Sequence, residues 1–139
     1  FLKTGDTVLS CPDYVLKPLR KGLLDAGINV VVPDKFGKDY KLLTVGKVDS
    51  EEGSSISGAE KVGTVIKELP QLTMTFVACV AIGEKGFYLD KGYGFHLPES
   101  VLSLPSATIV HPLQIVGGLE AKQQVRLYAT PEKVVTIDN

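Results

Sequence analysis

Lys91-Gly92-Tyr93-Gly94 sets one ammonium group beside two glycines spaced two apart. That pattern suits two different jobs. Glycines allow a tight turn. They also let backbone N–H groups approach phosphate oxygens, with Lys91 as a point charge. The loop has neither the GxxxxGK[ST] nor the GxGxxG form, so spacing alone leaves both readings open. Arg20 and Lys21 fall in the first turn of a predicted helix, where cations oppose the helix dipole. They are either solvated or turned toward an anion, and Arg20 is the further candidate for nucleotide contact. His96 and His111 have no acid or nucleophile nearby in sequence. His111 ends a predicted strand on the side where open α/β sheets bind ligands. Phe95, His96 and His111 are the candidates for substrate binding. No residue set has the form of a catalytic triad or a metal-ligand cluster, so no catalytic or metal-binding residue is assigned. Gly53-Ser54-Ser55 reads as a turn, either a plain loop or a weak anion holder.

The stretch that must position the glycine loop is Thr73 to Gly94. Met74 to Ile82 is the longest apolar run, with the length and Val/Phe content of a strand buried on both faces. Gly83-Glu84-Lys85-Gly86 is a turn. Upstream, Thr7 to Cys11 reads as a strand broken by Pro12 and Asp13. Pro18 opens a helix with Leu19, Leu23 and Leu24 on one side, and Gly27 stops it. Ile28 to Val32 is the next strand, so a parallel βαβ unit is expected.

Tyr40 to Val45 reads as an edge strand and Val48 to Ser55 as an acidic surface loop. Ser57-Gly58-Ala59-Glu60 has the form of a capping box and predicts a helix start. Leu97-Pro98-Glu99 opens a short helix that ends at Leu104-Pro105. Ala107 to His111, Val125 to Ala129 and Val134 to Ile137 are the remaining strands, with Leu113 to Val116 extending the first of these or forming an edge. Strands alternating with short helices predict an α/β domain with a mostly parallel sheet.

The 139 residues fit one domain, residues 1 to 139. An apolar share of 44% and a mean hydropathy of +0.15 are enough for a core and exclude a largely disordered chain. A net charge of -1 with scattered signs argues against a nucleic-acid-binding face. Cys11 and Cys79 sit in apolar runs without CxxC spacing and read as small buried hydrophobes of a reducing compartment, with a disulfide or a reactive thiol as the alternative. No segment reads as a membrane span or signal peptide, so a cytoplasmic protein is expected. The chain opens at Phe1, and a missing N-terminal piece is the matching expectation. The expected partner is a small-molecule substrate, with no nucleic acid and no membrane, for a monomer or homodimer.

The order of segments resembles the 5-formyltetrahydrofolate cyclo-ligase family (5,10-methenyltetrahydrofolate synthetases), most closely its divergent, cyclo-ligase-like branch. The resemblance runs over roughly residues 8 to 136. It is carried by Pro18-Leu19-Arg20 through Leu24, Gly27 and Val32-Pro33, then by Gly58 to Gly63. Val77 to Gly86, Thr108 to His111, Leu113 to Val116 and Thr130 to Val135 complete it. It implies a Rossmann-like parallel sheet with helices on both faces, of the sugar-isomerase and CoA-transferase-like superfold. It implies ATP and Mg²⁺ as cofactors and closure of 5-formyltetrahydrofolate, or a related formylated or pterin compound, to the 5,10-methenyl form.

The family's nucleotide motif reads roughly R-L-G-x-G-x-G-Y-Y-D, matched by Tyr88 to Leu97. Leu89, Gly92 and Gly94 are kept; Tyr88, Asp90 and Leu97 replace Arg, Gly and Asp, and Phe95 and His96 replace tyrosines. A cation is lost and an anion gained, each contact at 4 Å worth about 1 kcal/mol in water and about 4 at an effective dielectric of 20. Two further functions therefore stand beside an active cyclo-ligase. One is a non-catalytic binding or regulatory relative with an eroded ATP site. The other is a different small-molecule enzyme on the same superfold, for which the residues offer no acid–base pair.

Overall fold

The computed structural model describes residues 2–34, 38–90 and 95–137. The candidate loop Lys91-Gly92-Tyr93-Gly94 lies outside the described residues.

Five parallel strands form the middle of an eight-stranded sheet. They are β1 (Thr7–Ser10), β2 (Asn29–Pro33), β5 (Met74–Val77), β8 (Ser106–Ile109) and β11 (Leu127–Ala129). Two antiparallel strands, β3 (Tyr40–Leu43) and β4 (Thr64–Ile66), extend one side, and β12 (Val134–Thr136) closes the other. The order across the sheet is β12-β11-β8-β5-β1-β2-β3-β4. The chain thus goes from β1 to β2 on one side, then returns to lay β5 on the other. A reversal of this kind opens a crevice outside the carboxyl ends of the two strands it separates, here β1 and β5.

The βαβ expectation matches the structure. Helix α1 (Lys17–Asp25) has Pro18 in its first turn, where a missing N–H costs no hydrogen bond. Gly27 takes φ +88° just beyond its end, a conformation that strains any residue with a Cβ. Leu23 and Leu24 bury against Val8, Val30, Val32, Met74 and Phe76. Each fully buried apolar side chain of this size contributes about 1.5–3 kcal/mol.

The expected acidic loop from Val48 to Ser55 is instead helix α2 (Ser50–Ser54), capped by Asp49, whose carboxylate accepts from Glu52 N–H. The helix expected to be capped at Ser57 is capped two residues earlier, at Ser55. α3 (Ile56–Val62) is capped by Ser55, which accepts from Gly58 N–H at 3.0 Å. Gly53-Ser54-Ser55 is therefore the join between two short helices, with Gly53 and Ser54 buried. Strand β3 is flanked by β2 and β4 and is not an edge.

Helices on both faces are not what covers this sheet. α1 and α3 supply Leu23, Leu24 and Ala59 to the core on one face. Leu9 and Val31, on the other, pack against Leu72 and Val101 with Leu69, Leu97 and Leu104 beside them. Those covering segments carry Pro70, Pro98 and Pro105, which interrupt helix after a turn or less. The helix expected after Leu97 is a 3₁₀ turn, Glu99–Val101.

The run Met74 to Ile82 is not one strand. β5 ends at Val77, and β6 (Ala81–Gly83) belongs to a second, four-stranded sheet with β7 (Phe87–Leu89), β9 (Ile115–Val116) and β10 (Gln123–Gln124). β6 and β7 form a hairpin whose turn closes by Gly86 N–H donating to Gly83 C=O at 2.9 Å, with Gly86 at φ +88°. Ile82 and Tyr88 of this small sheet pack with Cys11, Leu16, Val77 and Val110, beside the carboxyl ends of β1, β5 and β8. The small sheet therefore walls the crevice that the large sheet opens.

Candidate functional site

Beyond Ser10, Cys11 stays beside β5, its N–H donating to Phe76 C=O at 2.9 Å. Pro12 and Asp13 then turn the chain into a 3₁₀ turn, Tyr14–Leu16. Opposite, Val77 and Ala78 leave the end of β5. Between these two strand ends lies a cavity of about 230 Å³. Tyr88, Asp90, His96 and Gln123 supply its remaining polar wall, and Phe95, Leu97 and Leu102 its apolar one. Its place at the β1/β5 reversal is the place the sheet topology assigns to a ligand.

Phe95 and His96, two of the expected substrate residues, come together here. Asp90 and His96 meet directly, Oδ2 to Nδ1 at 3.6 Å. These are two of the positions at which the sequence departs from the cyclo-ligase pattern, and they contact one another. Phe95 also stacks edge-on against Tyr40, ring centroids 6.4 Å apart.

Arg20 requires a correction. It neither lies in solvent nor lines the cavity: it is 1% exposed, and burial lowers its pKa to about 10, which leaves it charged at neutral pH. Its Nε donates to Ser54 C=O at 2.8 Å, and its Nη1 to Cys11 C=O at 2.9 Å and Asp13 C=O at 3.1 Å. The guanidinium therefore fastens the segment behind the cavity wall to the end of α2. It braces that segment and does not line the cavity. His111 also lies elsewhere. It is exposed after β8, where its Nδ1 accepts from Leu113 N–H and its own N–H donates to Gln114 Oε1. That reciprocal pair caps a 3₁₀ turn, Pro112–Gln114, and engages the ring's Nδ1 locally.

Cys11 and Asp13 were not among the expected site residues. The signal for them was positional: a polar residue just past the first parallel strand of an α/β unit faces the ligand crevice. Burial, reinforced by Asp13, pushes the Cys11 thiol up to about 12. Burial, then Cys11 and Asp90, pushes the Tyr88 phenol up to about 12. Both groups hold their protons at neutral pH, so Cys11 is no thiolate nucleophile and Tyr88 is a hydrogen-bond donor. Both cysteines are free thiols. Among the described residues no group of three or more His, Cys, Asp and Glu is placed to hold a metal ion. No helix among them is long and apolar enough to cross a membrane.

Set against known protein families and against curated proteins, the sequence matches none.

Proposed function

We propose that the protein binds a small ring compound in the cavity between the ends of β1 and β5, and that its chemistry is that of a cyclo-ligase. The reaction is the ATP- and Mg²⁺-dependent conversion of 5-formyltetrahydrofolate, or a related formylated or pterin compound, to the 5,10-methenyl form. The Rossmann-like, sugar-isomerase and CoA-transferase-like superfold belongs to the same proposal. One observation carries it. The residues flanking the glycine loop, Tyr88 and Asp90 before it and Phe95 to Leu97 after it, all line the crevice at the strand reversal.

Whether the cofactors suit the site turns on charge. No Lys or Arg among the described residues lines the cavity, so a bare triphosphate does not suit them. Asp13 and Asp90 do suit a hydrated Mg²⁺, which keeps several waters and takes one or two carboxylates plus substrate phosphates. The chemistry such a nucleotide supplies when bound is phosphoryl transfer to the formyl oxygen, after which ring closure expels it. The chain's own part is positional. Phe95, Leu97 and Leu102 offer a flat apolar wall to a ring, the Tyr88 hydroxyl donates to it, and the His96 contact orients Asp90.

A second reading is favoured by the Asp90–His96 contact: a non-catalytic relative whose cavity has been rebuilt around that pair. Incubation with ATP, Mg²⁺ and 5-formyltetrahydrofolate, followed by chromatography, separates the two. The cyclo-ligase reading expects methenyl product and ADP in equal amounts. A folded protein that binds the folate but forms neither would leave the second reading standing.

A further inference from the structure

The 97–104 segment lies over the helix-free face of the large sheet. Beside it is a second cavity of about 230 Å³, which shares Tyr88, Leu97, Leu102 and Gln123 with the first. A third, of about 280 Å³, shares Leu104, Ser106 and Gln124 with the second and reaches Arg126. The three line up as one trough. Strand register turns Arg126 toward it. Thr108 and Tyr128 are partners, so Ser106 and Arg126, each two residues earlier, share their sheet face. Ile137 N–H donates to Arg126 C=O at 2.8 Å, which carries the β11–β12 ladder as far as Arg126. Leu127, the next residue, packs into the core on the helix side, as alternation requires. Charge changes sign along the trough. Asp13 and Asp90 line the first cavity, whereas Lys122 lines the second and Arg126 the third, with no Asp or Glu among the described lining of either. Both cations are exposed, and neither makes an ion pair among the described residues.

We propose that the trough seats an elongated ligand whose far end is a carboxylate, held at the Lys122 and Arg126 end. The proposal rests on the reading that the first cavity holds the ligand's ring. The chemistry of the lining selects the class. A guanidinium is a planar fork of donors that matches the two oxygens of a carboxylate, and Lys122 adds a point charge. Leu97, Val101, Leu102 and Leu104 wall the passage between the two ends and suit an apolar connecting chain. The open, water-facing end leaves the carboxylate solvated, so its charge is not stripped of water on binding. Attraction between exposed charges is modest and screened by salt, so this end selects and orients the ligand while the first cavity supplies most of the contact.

The test is amide-resolved NMR titration of the intact chain at low salt with 3-phenylpropanoate and, separately, 3-phenylpropanamide. The wild type is compared with Arg126→Gln, Arg126→Lys and Lys122→Gln, all changes at exposed positions. The carboxylate should produce saturable shifts at Tyr88 and Phe95 and also at Ser106, Gln124 and Arg126, and should bind more tightly than the amide. Arg126→Gln should weaken the carboxylate about three- to fivefold and leave the amide unchanged. Arg126→Lys, which keeps the charge without the fork, should recover part of that loss. Added salt should weaken the carboxylate and spare the amide. Equal affinity for the two probes, or carboxylate affinity unchanged in both Arg126→Gln and Lys122→Gln, would overturn the subsite. Shifts at Tyr88 and Phe95 with none at Ser106 and Gln124 would overturn it too, and leave the first cavity as the ring site. Charge-dependent shifts at Ser106, Gln124 and Arg126 alone would uphold the anion end and contradict the ring site.

Discussion

Arg20 is the side chain that most changes meaning between sequence and structure. A cation in the first turn of a helix reads as solvated or anion-facing, because nothing in the chain announces the carbonyls of Cys11, Asp13 and Ser54 that surround it. Its removal leaves those acceptors short of a donor in a buried place. Arg20→Met should cost about 3 kcal/mol in urea unfolding, with the largest backbone shifts at 11–13. Cys11 makes a second prediction at this scale. Its thiol ionises near 9.0 when unfolded and about 12 when folded. Above pH 9 the unfolded chain therefore holds fewer protons than the folded one, and stability falls as pH rises. Between pH 9 and 10 the Cys11 contribution should approach about 1 kcal/mol lost per pH unit, and Cys11→Ala should flatten that slope. Between pH 7 and 8, iodoacetamide should label Cys11 only after denaturation.

Elements were legible where local rules and tertiary packing agree. Pro18 and Gly27 bracket α1, and the β-branched run 30–32 sits in β2, because each residue's own preference matches its burial. The break of 74–82 into β5 and β6 was not legible. Apolar residues continue through Ala78, Cys79 and Val80, and a hydrophobic run does not reveal that its second half joins another sheet. α2 was missed because five residues that include Gly53 carry no periodicity; its cap, Asp49, was the only local sign. The α2–α3 join gives a prediction of its own. A Cβ on Gly58 would collide with the Glu52 carbonyl oxygen, which is backbone and cannot swing away. Gly58→Ala should therefore destabilise the protein by roughly 3 kcal/mol or more, measured by thermal melting, despite alanine's better helix propensity.

For the whole molecule, the mostly parallel sheet followed from alternating strands and short helices. Its helical cover did not, because three prolines leave one face to turns and loops. The location of the site was half legible. Phe95 and His96 were marked by their nearness to the glycine loop, and the structure brings them to the cavity. Asp13 and Cys11 reach the same cavity from just past β1, far upstream of Phe95 and His96, a juxtaposition that only the strand reversal creates. The proposed cyclo-ligase chemistry needs a magnesium-bound nucleotide beside the ring compound, at the Asp13 and Asp90 side of this cavity. Thermal melting with and without millimolar Mg-ATP tests it most directly. At about one hundred times the dissociation constant the nucleotide should add about 2.7 kcal/mol, or roughly 10 °C, and Asp90→Asn should lose most of that gain. An unchanged melting temperature in the wild type would contradict the proposed cyclo-ligase chemistry.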